Sequence, residues 1–211
     1  MNTLLSAFLR QCVAAAVVLL GLTMLVGAAY PAAVWAISRV DTSKAEGSRL
    51  TDAAGCTIGS SLIGVDPQVS PGAPDPYLHA RVVGAEGEPM ATGDPSASAA
   101  SNQGPNSELL LTNVTARRAL IAAREGVTPA QVPADAVTGS GSGLDPHISP
   151  AYAGLQVARL ARENRRSPAE IEAVIAAHTE DRQFGFLGES RVNVLEVNLE
   201  LGHVPPGCRA P

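Results

Sequence analysis

The sequence predicts an α+β protein: one N-terminal transmembrane helix followed by a single mixed helix and strand soluble domain. Three observations predict it. The first is an uncharged run from Gln11 to Ser38, longer than the about 20 apolar residues that a membrane helix needs. The second is a pair of helix starts written Ser-Pro, at Ser149-Pro150 and Ser167-Pro168, where serine caps and proline takes the first helical position. The third is the alternation of Leu195, Val197, Leu199 and Leu201 with Glu196, Asn198 and Glu200, the period of a half-buried strand. They divide the chain into a short tail at 1–10, a transmembrane helix at 11–37, a soluble domain at 38–203 and a flexible tail at 204–211.

The N-terminal run exceeds the apolar stretch of a cleaved signal peptide, about 7–15 residues. Tyr30 and Trp35 stand at its far end, where amphipathic rings favour the membrane interface. Pro31 lies inside it and either ends the helix or kinks it, because proline has no N–H to give. Small residues (Ala14, Ala15, Ala16, Gly21, Gly27, Ala28) permit close packing on other membrane helices. The span contains no charged residue that could hold an ion. Basic residues number one before it (Arg10) and three after it (Arg39, Lys44, Arg49), a count that leans toward a cytoplasmic domain. Long domains translocate largely regardless of charge, so the side stays open.

Beyond the span lie all 20 acidic residues and 14 of the 15 basic ones, a formal charge of −6. A nucleic-acid binder would be basic, so the charge argues against that class. Cys12 sits in the span, while Cys56 and Cys208 could pair if the domain faces an oxidising compartment. No CxxC or Cys/His spacing points to a metal.

Within the soluble domain, 56–65 reads as a strand broken by glycines and Tyr77–Val83 as a second strand. The stretch 84–105 has neither helical nor alternating period and reads as a long loop. Asn106 or Ser107 caps a helix to about Arg124, with Leu110, Val114 and Ile121 on one side and Gly126 as its stop. Ser149 opens a helix to about Glu163. Ser167-Pro168-Ala169-Glu170 is a capping box. Behind it Ile171, Val174, Ile175 and His178 share one face. In the terminal strand, Val192 and Val194 fall on the opposite phase from Leu195, which predicts a bulge between them.

The chemistry-bearing residues gather between 137 and 166. Gly139, Gly141 and Gly143 alternate in a loop that also holds Asp145, His147 and Ser149. Such a loop could cradle a phosphate on its N–H groups, but it lacks the Gly-Lys-Ser/Thr of a phosphate loop and the spacing of a dinucleotide fingerprint. The alternative is a structural or docking loop. Asp145, His147 and Ser149 are the residue types of a hydrolytic triad, yet five consecutive positions are too crowded for one. Gln156, on the helix that follows, offers both donor and acceptor to an adenine edge or a partner backbone. Arg159, Arg162, Arg165 and Arg166 make a basic cluster suited to phosphates or lipid head groups, or simply a solvated face.

Val132–Thr138, Gly139–Pro150, Gln156–Ala161, Phe186–Glu189 and Val192–Leu199 together resemble the C subunit of the Kdp potassium-transporting ATPase. Tyr30-Pro31, Gly59–Gly64 and Ser101–Asn106 sit in that family's order. Departures occur at Val65, Ala80–Val83 and Ala99-Ala100. The resemblance implies a non-catalytic accessory subunit of a high-affinity potassium uptake pump, needed for assembly and activity; the residues alone leave open the alternative of a membrane-anchored binding protein that acts by itself. Its partners would be a channel-like potassium subunit and a P-type ATPase subunit, with membrane lipid around its span. It implies no firmly bound cofactor, and ATP only through the complex, where the subunit raises the ATPase subunit's affinity for ATP. The nucleotide or partner contacts would then be Gln156, Gly139, Gly141, Gly143, Asp145 and His147. The location implied is the cytoplasmic membrane, with the domain outside it.

Overall fold

The computed structural model describes residues 2–52, 55–70, 72–81, 89–90 and 92–203, in two compact units, 1–48 and 49–211. The expected flexible tail at 204–211 and the end of the expected Tyr77–Val83 strand lie outside the described residues.

The first unit is one long apolar helix with a short cap. Helix α1 covers Asn2–Met24 and α2 covers Tyr30–Ser38. A single π-turn, Leu25–Ala29, joins them, and the Tyr30 N–H donates to the Leu25 carbonyl. Together they make a 36-residue helical stretch, Thr3–Ser38, long and apolar enough to cross a bilayer. Pro31 neither ends this helix nor interrupts it. It sits in the first turn of α2, where its missing N–H matters least once the π-turn has re-phased the ladder ahead of it. The short helix α3, Thr42–Ala45, follows, capped by Asp41.

The second unit opens with an antiparallel ribbon, β1 (Arg49–Thr51) and β2 (Thr57–Ser60). Helix α4, Glu108–Glu125, starts at Ser107, whose side chain accepts from the Leu110 N–H, and stops at the left-handed Gly126. Both ends are legible in the sequence. A 3-10 turn at Pro129–Gln131 and the short α5, Ala134–Val137, lead into the glycine loop. Then come β3 (His147–Ile148), α6 (Pro150–Asn164), α7 (Pro168–Ala177), β4 (Thr179–Glu180), β5 (Arg191–Asn193) and α8 (Val194–Glu200). Strands β3, β5 and β4 form a small antiparallel sheet with β5 at its centre. The core lies between this sheet and the helices, with Leu78, Ile121, Ile148, Tyr152, Leu160, Ile171, Val192 and Val197 essentially removed from solvent. Each such side chain contributes about 1.5–3 kcal/mol by burial.

Two expected strands are not strands. Residues 194–200 form helix α8, and the predicted bulge is the point where β5 turns into it. Asn193 caps this helix by accepting from the Glu196 N–H. The buried set is Val194, Val197, Asn198 and Leu201, spaced i, i+3, i+4 and i+7. Only Val197 and Leu201 belong both to this helical set and to the alternating set Leu195, Val197, Leu199 and Leu201, and the cap decides between the two periods. The described part of the second, 77–81, has no regular secondary structure and joins no sheet; side chains take the place of its strand neighbours.

Candidate functional site

The glycine loop is built inward. Ser140 is buried, and its Oγ accepts from the N–H groups of Ser142 (3.2 Å), Gly143 (3.1 Å) and Asp145 (3.3 Å). Gly143 has φ +72, a conformation that glycine takes without steric cost. From outside, Gly64 presses on the loop. Its N–H donates to the Leu144 carbonyl at 2.7 Å, and a Cβ there would stand 2.3 Å from the Asp145 carbonyl oxygen. Gly139 accepts from Arg81 through its carbonyl, while Gly141 faces open space. The N–H groups of Ser142, Gly143 and Asp145 are thus directed to a serine hydroxyl within the domain.

Asp145 and His147 do come together. The Asp145 Oδ1 accepts from the His147 N–H at 3.0 Å and lies 3.4 Å from the ring Nδ1, and Oδ2 accepts from Arg81 at 2.8 Å. Burial pushes this carboxyl up, but the hydrogen bonds from His147 and Arg81 outweigh it and hold it at about 2. Ser149 is engaged elsewhere. Its Oγ accepts from the Tyr152 N–H and caps α6, and its own N–H is taken by Asp135. Among the described residues no hydrogen bond joins His147 to Ser149, so the three residues are not arranged as a triad.

Gln156 is wholly buried. Its Oε1 accepts from the His79 N–H and from Arg159, both at 2.9 Å, and its Nε2 donates to the His79 carbonyl at 3.2 Å. Asn198, on α8, does the same for Leu78: Oδ1 accepts from the Leu78 N–H at 2.7 Å and Nδ2 donates to its carbonyl at 2.9 Å. Two carboxamides from two helices thus clamp consecutive peptide groups, supplying the pairing that a neighbouring strand would give. The side-chain amide that the sequence offers to a ligand is occupied by the protein's own backbone.

Charges converge behind the clamp. The His79 Nδ1 lies 3.1 Å from both Asp66 oxygens, and Nε2 lies 2.8 Å from Asp75. Burial alone would lower the imidazolium's pKa; the charge and hydrogen bonds of Asp66 and then Asp75 outweigh it and raise it. Arg159 binds Glu125 at 3.0 Å and the carbonyls of Asp75 (2.6 Å) and Tyr77 (2.9 Å). Arg124 donates to Glu125 and to the Tyr152 hydroxyl, whose own ionisation burial pushes up to about 12. The basic cluster therefore splits: Arg159 is a buried tie, while Arg162, Arg165 and Arg166 are exposed. No sequence pattern singles out His79, Asp66, Asp75, Glu125 and Asn198 as partners in this network. Their contacts join residues up to 120 positions apart, and no local spacing encodes them.

Two clefts flank these features. A polar one of about 450 Å³ is lined by Arg81, Asp135, Asp145, His147, Glu189 and Arg191. An apolar one of about 650 Å³ runs along β2 and α8, between Ile58, Ile63, Val65, Tyr77 and Leu195. Cys56, buried at the start of β2, is in a disulfide, and Cys12 carries a free thiol. Among the described residues no cluster of three His, Cys, Asp or Glu side chains could hold a metal ion.

Comparison with known proteins agrees with this architecture. Residues 12–203 match the family model described as the K+-transporting ATPase, c chain. The potassium-transporting ATPase KdpC subunit of Kineococcus radiotolerans is 43% identical over 209 residues, covering 98% of this chain and 100% of that protein. Its counterpart in Geobacter sulfurreducens is 40% identical over 203 residues, covering 94% and 100%. That of Cereibacter sphaeroides strain ATCC 17029 is 42% identical over 183 residues, covering 87% and 91%. With one apolar N-terminal helix ahead of an α+β unit, and the match running through both, the chain belongs to the KdpC family, the C subunits of potassium-transporting ATPases.

Proposed function

We propose that this chain is a non-catalytic assembly subunit, anchored by its single span, whose folded unit faces the extracytoplasmic side and docks on the channel-like and ATPase subunits. The observation that carries the reading is the inward closure of the glycine loop and of Gln156. Three of the loop's N–H groups and the Gln156 carboxamide, the groups best suited to a nucleotide, are engaged in shaping the domain. The disulfide at Cys56 supports the sidedness, since such bonds persist in oxidising compartments. ATP then belongs to the ATPase subunit, and any gain in its affinity is transmitted through subunit contacts.

Deletion of the chain should abolish high-affinity potassium uptake while the other subunits remain in the membrane; normal uptake would overturn the reading. Sidedness has its own test. Glu172 is exposed on α7, and the variant Glu172→Cys should react with a membrane-impermeant maleimide in intact cells. Labelling only after lysis would place the domain inside and reopen direct ATP contact.

A further inference from the structure

The hairpin between β4 and β5 carries an apolar tip that no described residue of the domain covers. Phe184 is 85% exposed, Phe186 70% and Leu187 48%. The chain has only three phenylalanines, and two of them are spent here. A phenyl ring left in water gives up the about 1.5–3 kcal/mol that burial would return.

The backbone of the tip is hydrogen-bonded within itself. Gln183 and Leu187 exchange both backbone hydrogen bonds at 2.9 Å, the Gly185 N–H donates to the Arg182 carbonyl at 3.0 Å, and the Phe186 N–H donates to the Gln183 carbonyl at 3.3 Å. Gly185 and Gly188 both have φ +80. Phe184 has φ +55, a left-handed conformation that is uncommon for a bulky side chain and is held only where the surroundings enforce it. An ion pair between Arg182 and Glu189 at 2.6 Å closes the base of the tip. A strained, hydrogen-bonded backbone thus presents two aromatic rings outward, and a preorganised backbone is what makes an anchor residue effective.

We infer that Phe184, Phe186 and Leu187 are the anchor by which this domain seats in an apolar pocket on another subunit of the pump; the inference rests on the chain's being a pump subunit. The surrounding charge argues for a protein partner. Glu180, Asp181 and Glu189 outnumber Arg182 and Arg191 around the tip, so it lacks the Lys and Arg excess that a segment lying on a lipid surface carries on its polar face. The area argues the same way. A phenylalanine buries about 150–250 Å². Two of them with part of a leucine supply roughly half of the about 800 Å² that a stable interface takes from each partner. That is the share of a central hot spot, with the polar cleft that includes Glu189 and Arg191 beside it as rim.

The test uses the full pump expressed in its own membrane. A photo-crosslinking amino acid at position 186, in place of Phe186, should give an adduct with a second pump subunit; adducts with lipid alone, or none, would overturn the proposal. In parallel, Phe184→Ala with Phe186→Ala should reduce co-purification of the complex at least tenfold. Full-length variant chain in detergent should keep its melting behaviour, since both rings are exposed. Phe184→Leu with Phe186→Leu, which keeps apolar volume, should restore part of the association. Undiminished co-purification and potassium-stimulated ATPase activity of the double alanine variant would overturn the anchor while leaving subunit membership intact. Loss of uptake on deletion of the chain tests membership separately.

Discussion

Two glycine-containing loops in this domain have opposite polarity. The loop at 139–145 turns its hydrogen-bonding groups inward onto Ser140 and is pressed from outside by Gly64. The hairpin at 183–188 satisfies its own backbone and turns its apolar side chains outward. The first has the composition of a ligand cradle and is part of the framework. The second has no sequence pattern of a site and is the more available surface. Glycine density reports how tightly a chain turns; what the loop offers depends on where its N–H groups and side chains then point.

If the inward region is framework, damage there should be costly. The largest effect belongs to the clamp that holds it. Gln156→Leu would leave the N–H and the carbonyl of His79, and one Arg159 donor, without their buried partner. Each orphaned group costs about 1–3 kcal/mol, so a loss of at least about 3 kcal/mol is expected in denaturant unfolding. A loss below about 1 kcal/mol would show that the amide is dispensable and free to serve a ligand. Gly64→Ala should come next, at about 3 kcal/mol, because its new Cβ collides with the Asp145 backbone rather than with a flexible side chain. An alanine tolerated there would mean the loop can lift away from its support.

The inward loop should also be acid-sensitive. Asp145 has a carboxyl held at about 2 against its ordinary 3.8. A depressed acid contributes fully above its unfolded value and loses that contribution as pH falls through its folded value. The window therefore runs from about pH 4 down to about pH 2, and the amount is about 2 kcal/mol. Stability measured across that window should flatten in Asp145→Asn. His79 works in the opposite direction: its folded value is raised above 6.5, so its contribution is complete below 6.5 and fades as pH rises past the folded value. The two groups together favour a plateau between the acid and alkaline losses.

How much of this is legible in the sequence follows from the range of each signal. The caps of α4, α6 and α7 are local chemistry, written as Ser107 with Gly126, Ser149-Pro150, and Ser167 with Glu170, and the structure uses each one. The apolar span is a matter of length and composition. Helix α8 reads as a strand because Leu195, Val197, Leu199 and Leu201 alternate, while the decisive Asn193 cap three residues before Glu196 is a weaker mark than four branched side chains. The segment at 77–81 reads as a strand in the sequence but is not paired with one; its partners are Gln156 and Asn198, which no spacing connects to it. The same holds for the candidate site. Asp145 and His147 are neighbours in sequence and in space, but the Ser140 acceptor and the Arg81 donor become visible only once the chain has folded.

The smallest expected stability change distinguishes the two loops most sharply. At Phe184 the backbone holds φ +55, which a phenylalanine adopts at a cost and a glycine does not. Phe184→Gly should therefore leave the full-length chain as stable as before or up to about 1 kcal/mol more stable, since the ring it removes is exposed. The opposite sign is expected at Gly143, whose φ of +72 makes Gly143→Ala destabilising by about 1 kcal/mol. A residue kept against its own backbone preference at no gain to the fold is retained for what it touches elsewhere. If Phe184→Gly instead lowered the melting temperature by more than a few degrees, the ring would be packing within the domain, and the outward loop would belong to the framework as the inward one does.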